Sequence, residues 1–174
     1  SIRICITGKT DSFGLSINGI LQPNVNLSFA LVNDLGDSAT MLRTEDWSIA
    51  RDSTLEYGEL SSGGSRIKSD IRTYLKGNNS TLDQNIAVNC ETTRVDDHHI
   101  EIHHQSGYSS SSLSVKSACA DKGHAIGTGL LAIEEDCDKT DAGQVFKNLL
   151  LSPQAKAESI PELEVLSDDV SAAH

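Results

Sequence analysis

Hydrophobic and polar residues alternate one by one along much of this chain. Ile2, Ile4 and Ile6 are interleaved with Arg3, Cys5 and Thr7, and Leu27, Phe29 and Leu31 follow the same rule. Ile86 with Val88, Ile100 with Ile102, and Leu113 with Val115 extend the series. A period of two puts one face of a strand in a core and the other in water. Ile67, Ile71 and Leu75 step by four, which fits one face of either a strand or a helix. Turn-forming clusters separate the runs: Asn33-Asp34, Gly63-Gly64, Gly77-Asn78-Asn79 and Asp121-Lys122-Gly123. The pattern predicts many short strands and very little helix.

A weak repeat runs through the corners. Asp52-Ser-Thr-Leu-Glu and Asn79-Ser-Thr-Leu-Asp are each a polar corner leading straight into a strand, 27 residues apart. Asp121-Lys-Gly-His-Ala and Ser152-Pro-Gln-Ala-Lys repeat the corner more loosely, 31 residues apart. Corner-then-strand units at this spacing suggest a coiled, solenoid-like sheet. A β-sandwich spaces its strands similarly and is the alternative. One segment departs from the alternation. Thr140 and Asp141 read as caps, and Ala142, Val145, Phe146, Leu149 and Leu150 recur at helical spacing, which predicts an amphipathic helix there.

The length, 174 residues, suits one domain, and a chain of this size buries enough surface to need no staples. Aromatic residues make up only 4%, so Leu, Ile, Val and Ala must fill the core, which suits thin repeated layers. Net charge is −11, with no cluster of Lys and Arg. That argues against nucleic acid and anionic membranes as partners. No apolar run approaches the roughly 20 residues that span a bilayer. The cysteines, Cys5, Cys90, Cys119 and Cys137, lie far apart with no C-x-x-C pair, which makes a zinc knuckle a poor fit. Two disulfides are formally possible; reduced thiols in a cytoplasmic protein are the expectation.

The densest polar stretch is "RVDDHHIEIHHQ", residues 94–105. On a strand, His99, Glu101 and His103 share one face, and His98, Ile100, Ile102 and His104 share the other. Two histidines flanking a carboxylate could offer three ligands to a divalent metal. Three neighbours on one strand make a poor tetrahedral set without a further ligand, and a solvated histidine-rich face is the plain alternative. His104 is expected as a buried or site residue on the Ile100/Ile102 face. The strand cysteines read as small core hydrophobes. Cys137, in the acidic "EEDCDK" corner, reads as exposed, with its thiolate disfavoured by the neighbouring carboxylates. No nucleophile elbow, phosphate-cradling loop or paired-carboxylate signature is present, so nothing points to an enzyme.

From residue 97 onward the chain resembles the core of the SufB/SufD family. The resemblance rests on "SACADKGHAIGTGLLAI", on "DKTDAGQVFKNLLLSPQAKAESIPELEVLSDDV" and on a closing histidine. Lys139, Thr140, Asp141, Gln144, Asn148 to Ser152, Pro161, Leu163, Glu164, Asp168, Asp169, Val170 and His174 fit the family pattern, and Asp97 with His104 fits its spaced pair upstream. The resemblance implies a right-handed parallel β-helix, an all-β solenoid over residues 1–174 as a single core domain. It therefore implies strands, not a helix, for residues 140–150. Family members are scaffold subunits of iron–sulfur cluster assembly, paired with each other and with the SufC-type ABC ATPase. The resemblance thus implies a SufB-type partner, a homodimer or heterodimer, and a transient iron–sulfur cluster near His174 and His104.

The departures narrow the match. The SufB branch carries a cysteine in the corner before the Pro strand, where this chain has Ala155. The SufD branch carries Lys and Cys where Ser171 and Ala172 stand, so the chain is closer to SufD without its cysteine. The family's C-terminal helical region, which docks the ATPase, is expected to be lacking.

Overall fold

Every predicted run of alternating residues is a strand, and each strand feeds a polar corner. The computed structural model describes all residues from Ser1 to His174 and contains thirteen strands and no helix. They are β1 (Ile2–Gly8), β2 (Ser12–Leu21), β3 (Asn26–Leu35), β4 (Thr40–Ile49), β5 (Thr54–Ser61), β6 (Arg66–Leu75) and β7 (Thr81–Cys90). The rest are β8 (Val95–His104), β9 (Ser110–Cys119), β10 (His124–Ile133), β11 (Asp141–Leu150), β12 (Lys156–Val165) and β13 (Ser171–Ala173). Odd-numbered strands form one sheet and even-numbered strands the other, each strand pairing in parallel with the strand two along. The chain therefore winds between two facing sheets as a β-solenoid of about six turns. Register partners at the start of the odd strands, Asn26, Thr54, Thr81, Ser110, Asp141 and Ser171, are separated by 28, 27, 29, 31 and 30 residues. The solenoid, not the sandwich, is the outcome.

The corners explain why the winding repeats. Two residues before each of β3, β5, β7, β9 and β11 the backbone is left-handed, at Asn24, Asp52, Asn79, Tyr108 and Lys139. Asn and Asp tolerate that conformation best. The next residue in the last four of these corners is a buried hydroxyl, Ser53, Ser80, Ser109 or Thr140. Ser53 Oγ donates to the Gln22 carbonyl at 2.8 Å and Thr140 Oγ1 to that of Cys137 at 2.8 Å, so the turned backbone is satisfied from inside. The Asp52-Ser-Thr and Asn79-Ser-Thr repeats are two such corners stacked one turn apart, joined by Asn79 Nδ2 donating to Asp52 at 3.0 Å.

Inward side chains stack rung on rung. Ile49, Leu75, His104 and Ile133 form one column, and Leu55 with Leu82 begins another, all within or beside a continuous core of 29 hydrophobic residues. Each fully buried Leu or Ile contributes about 1.5–3 kcal/mol. Phe29, Trp47 and Tyr57 meet at ring-centroid distances of 5.0–6.3 Å. The Trp47 indole needs Gly19 opposite it, because a Cβ there would overlap the ring. Outward, the even sheet carries cross-strand ion pairs such as Lys68–Asp97 (3.1 Å) and Arg72–Asp46 (3.3 Å), a solvated face of small energetic weight.

The segment read as an amphipathic helix is β11. Its helical spacing arises because this strand is apolar on both faces: Ala142 is buried inward, while Val145, Leu149 and Leu150 are exposed. Propensity and spacing yield here to the register with β9. β13 pairs with the first three residues of β11, Asp141–Gly143. No helix is long and apolar enough to cross a membrane.

Candidate functional site

Three groups of polar side chains stand out: one inside the solenoid, one on the outer face of the even sheet, and one at the last turn. The interior group begins with sequence parity. In β4, Arg43 and Glu45 lie on the same inward face as Met41 and Trp47, and in β5 Glu59 follows Tyr57 on the inward face. In β8, Asp96 and His98 precede Ile100. The strands thus drive charges into the core, where they must pair.

Each charge meets an opposite one, although the Arg43 and Arg94 Nε groups have no hydrogen-bond partner. Arg43 Nη2 donates to both carboxylate oxygens of Glu59 at 2.8 Å, and its Nη1 lies 3.4 Å from Glu45. His98 Nε2 sits 3.0 Å from Glu59 and its Nδ1 2.8 Å from Asp96. Asp96 also accepts from Ser61 Oγ at 2.8 Å and from Arg94, which in turn reaches the Gly63 carbonyl. Trp47 Nε1 donates to Glu45 at 2.8 Å, and the Tyr57 hydroxyl lies 3.1 Å from both Glu45 and Glu59. Burial alone would lower the His98 pKa, but Glu59 and Asp96 outweigh it and hold the imidazole up at about 9. Burial would raise Glu59, but Arg43 and then His98 bring it down to about 2. With His98 protonated, three cations (Arg43, Arg94, His98) face three carboxylates (Glu45, Glu59, Asp96), so the cluster is neutral as a whole. Sequence reasoning missed it, although charges at Arg43 and Glu45 on the parity of Met41 and Trp47 were the available signal.

The histidine strand lies as its alternation requires. His98, Ile100, Ile102 and His104 point inward, while His99, Glu101 and His103 are partly exposed. Glu101 is gripped from both sides: His99 Nε2 is 2.8 Å from one carboxylate oxygen and His103 Nε2 3.1 Å from the other. Burial pushes the Glu101 carboxyl up, but hydrogen bonds from His103 and His99 leave it lowered. His103 also stacks on Tyr74 at 5.0 Å. The two imidazoles are thus spent on the carboxylate, and no three metal-capable side chains converge on a common point. His104 is enclosed, with Nδ1 2.7 Å from Ser109 Oγ and Nε2 2.8 Å from Ser111 Oγ. Burial, then His103, lowers its pKa to about 4, so it stays neutral with both nitrogens engaged.

The cysteines correct two expectations. Cys90 and Cys119 are buried register partners, and burial pushes the Cys90 thiol up to about 12. Cys5, by contrast, is exposed and lies on the wet parity of β1. Cys137 is buried rather than exposed, because its corner turns the thiol inward to donate to the His104 carbonyl at 3.3 Å. Burial, then Glu134, raises its pKa, so the disfavoured thiolate stands. All four thiols are free.

His174 follows β13 and is exposed at the last turn. Elsewhere on the last two turns the surface is apolar: Leu151 is 61% and Leu166 67% exposed, with Leu149, Leu150, Ile160 and Val165 also open to solvent. A neutral imidazole can donate a lone pair to iron, and Ser171 and Ala172, just before His174, bring no sulfur.

The comparisons with known proteins agree with this architecture. The chain is 29% identical over 168 residues to the iron-sulfur cluster assembly protein SufD of Escherichia coli (strain K12), covering 97% of this chain and 38% of that protein. It is 24% identical over 160 residues to the chloroplastic protein ABCI7 of Arabidopsis thaliana, covering 89% of this chain and 33% of that protein. The chain thus spans about a third of the length of these curated relatives. The family model described as the SUF system FeS cluster assembly SufBD core domain matches residues 5–174, including the first turns whose sequence resembles the family only in texture. Folded as a parallel solenoid over the matched residues, the chain belongs to the SufBD core family of the SUF iron–sulfur cluster assembly system.

Proposed function

We propose that this chain is a SufD-like scaffold subunit on which an iron–sulfur cluster is built as cargo, with no catalytic turnover of its own. The observation that carries the reading is the SufBD core match over residues 5–174, laid on a parallel solenoid whose last turn carries the exposed His174. Ile160 and Val165 of β12 and Leu166 just after it are open to solvent, an apolar surface suited to another chain. One imidazole cannot hold a cluster alone, so the remaining ligands come from the partner, a SufB-type subunit. A SufC-type ABC ATPase belongs to the same proposed assembly, and the cytoplasm is its proposed place. The four unpaired thiols support a reducing compartment.

Two experiments test the reading. Light scattering at micromolar concentration is expected to show pairing, either of this chain with itself or with a SufB-type subunit. Monomer alone in both samples would count against pairing. Anaerobic reconstitution with iron and sulfide is expected to give cluster absorbance that needs the SufB-type partner and falls in His174→Ala. Equal iron and sulfide in His174→Ala would remove His174 from the site.

A further inference from the structure

The two outer faces of the solenoid differ in chemistry. The even sheet is laced with ion pairs, whereas the odd sheet presents a shallow groove of about 470 Å³ across β5, β7, β9 and β11. Register builds it. Leu60, Ala87, Lys116 and Lys147 form one outward row, and Asn89, Ala118 and Leu149 form the next. Ala87 and Ala118 are short, so the surface dips between the larger Leu60 on β5 and Leu149 on β11. Leu60 is 43% and Leu149 57% exposed, so apolar walls stand open to water. The groove crosses four strands, about 14 Å at about 4.8 Å between neighbours. A mostly apolar concavity of this volume, with a few polar groups converging on it, suits a small molecule.

Charge selects the molecule. Lys116 and Lys147 are register partners on adjacent strands, both exposed, and neither makes an ion pair. Like charges directly opposite each other destabilise a sheet. Their outward neighbours, Ser114, Ala118, Val145 and Leu149 along the strands and Ala87 across, are all uncharged, so nothing beside them neutralises the pair. In a chain of net charge −11 this is a local positive excess, and it attracts an anion. It lies towards the β9–β11 end of the groove, while Leu60 and Ala87 leave the other end apolar. An anionic bilayer fits less well, because two lysines gain only about 2 kcal/mol at its surface against the repulsion of the whole chain.

We propose that this groove binds a small amphipathic acid. Its anionic head, a carboxylate, sulfonate or phosphate, lies between Lys116 and Lys147, and its apolar body runs along Ala87 towards Leu60.

The probe is 8-anilinonaphthalene-1-sulfonate, which joins aromatic rings to one sulfonate. Added to the ¹⁵N-labelled chain, it is expected to bind saturably at a single site, with blue-shifted fluorescence and amide shifts concentrated on residues 87–89, 116–118 and 147–149. Lys116→Gln and Lys147→Gln are expected to weaken it about threefold each and about tenfold together, the size of one and of two exposed ion pairs. N-phenyl-1-naphthylamine, which carries the rings without the sulfonate, is expected to bind the wild-type chain and the double variant alike. Both lysines are exposed, so the variants leave the core intact, and their amide spectra check this. Equal sulfonate affinity in the double variant, or amide shifts confined to β12 and Leu166, would overturn the proposal. So would groove amides that shift with protein concentration when no probe is present, because a second copy of the chain would then be the occupant.

Discussion

Replacing Arg43 by Met is expected to destabilise the solenoid by about 3–5 kcal/mol, the range for breaking a buried charge pair from one side. Arg43 is fully enclosed, and it serves Glu59 with two hydrogen bonds and Glu45 with a third contact. Met fills similar volume, so the loss is electrostatic rather than a cavity. After the change, Glu59 retains only His98 and the Tyr57 hydroxyl, and Glu45 retains Trp47 and Tyr57. Two carboxylates would then face one imidazolium in that half of the cluster. Urea unfolding measures the effect: with a slope of about 1–3 kcal/mol/M, the midpoint falls by more than about 1 M. The double variant Arg43→Met/Glu59→Met is expected to lose less than the two single variants summed, because each single change strands a partner. A loss under about 1 kcal/mol in Arg43→Met would mean that water or rearrangement replaces the guanidinium, and the cluster would not be holding the two sheets together.

That cluster also marks where the sequence stopped being legible. Alternation at Ile2–Ile6, Leu27–Leu31 and Ile100–Ile102 was enough to find strands, and the Asp52 and Asn79 corners were enough to suggest their winding. Both signals are local, a period of two and a left-handed turn. The interior charges were illegible because alternation is read by assigning polar residues to water, and Arg43, Glu45, Glu59, Asp96 and His98 invert that rule. Their partners lie 16, 39 and 55 residues away in the chain for the Arg43–Glu59, Glu59–His98 and Arg43–His98 contacts. Only the register brings them together. β11 failed for the opposite reason: an apolar outer face at the last turn gave a strand the spacing of a helix. His174 enters as a candidate by resemblance alone, because an exposed histidine in the last turn carries no local sequence signal of its own.

The same buried groups set an expected pH profile with its maximum near pH 6.5. His98 has a folded pKa raised to about 9 against an ordinary 6.5, so its contribution is complete below pH 6.5 and is lost as pH rises through 9. His104 is held down at about 4 against the same ordinary 6.5. As a base whose neutral form is favoured by folding, it contributes fully above pH 6.5 and loses that contribution as pH falls towards 4. Glu59, lowered to about 2, keeps its contribution above its ordinary 4.5 and loses it as pH falls from there towards 2, so it touches only the acid end of this range. Each histidine limb is on the order of 3 kcal/mol, from about 1.4 kcal/mol per pKa unit. Urea midpoints measured from pH 4 to 9 are therefore expected to fall on both sides of the maximum. His104→Gln, placed between Ser109 and Ser111, removes the titrating group and should flatten the acid limb while leaving the alkaline one. His98→Gln should do the reverse, at the cost of a lower plateau because Glu59 and Asp96 lose their shared cation. A wild-type profile flat between pH 4 and 9, or an acid limb unchanged in His104→Gln, would show that these two rings do not govern the stability of the fold.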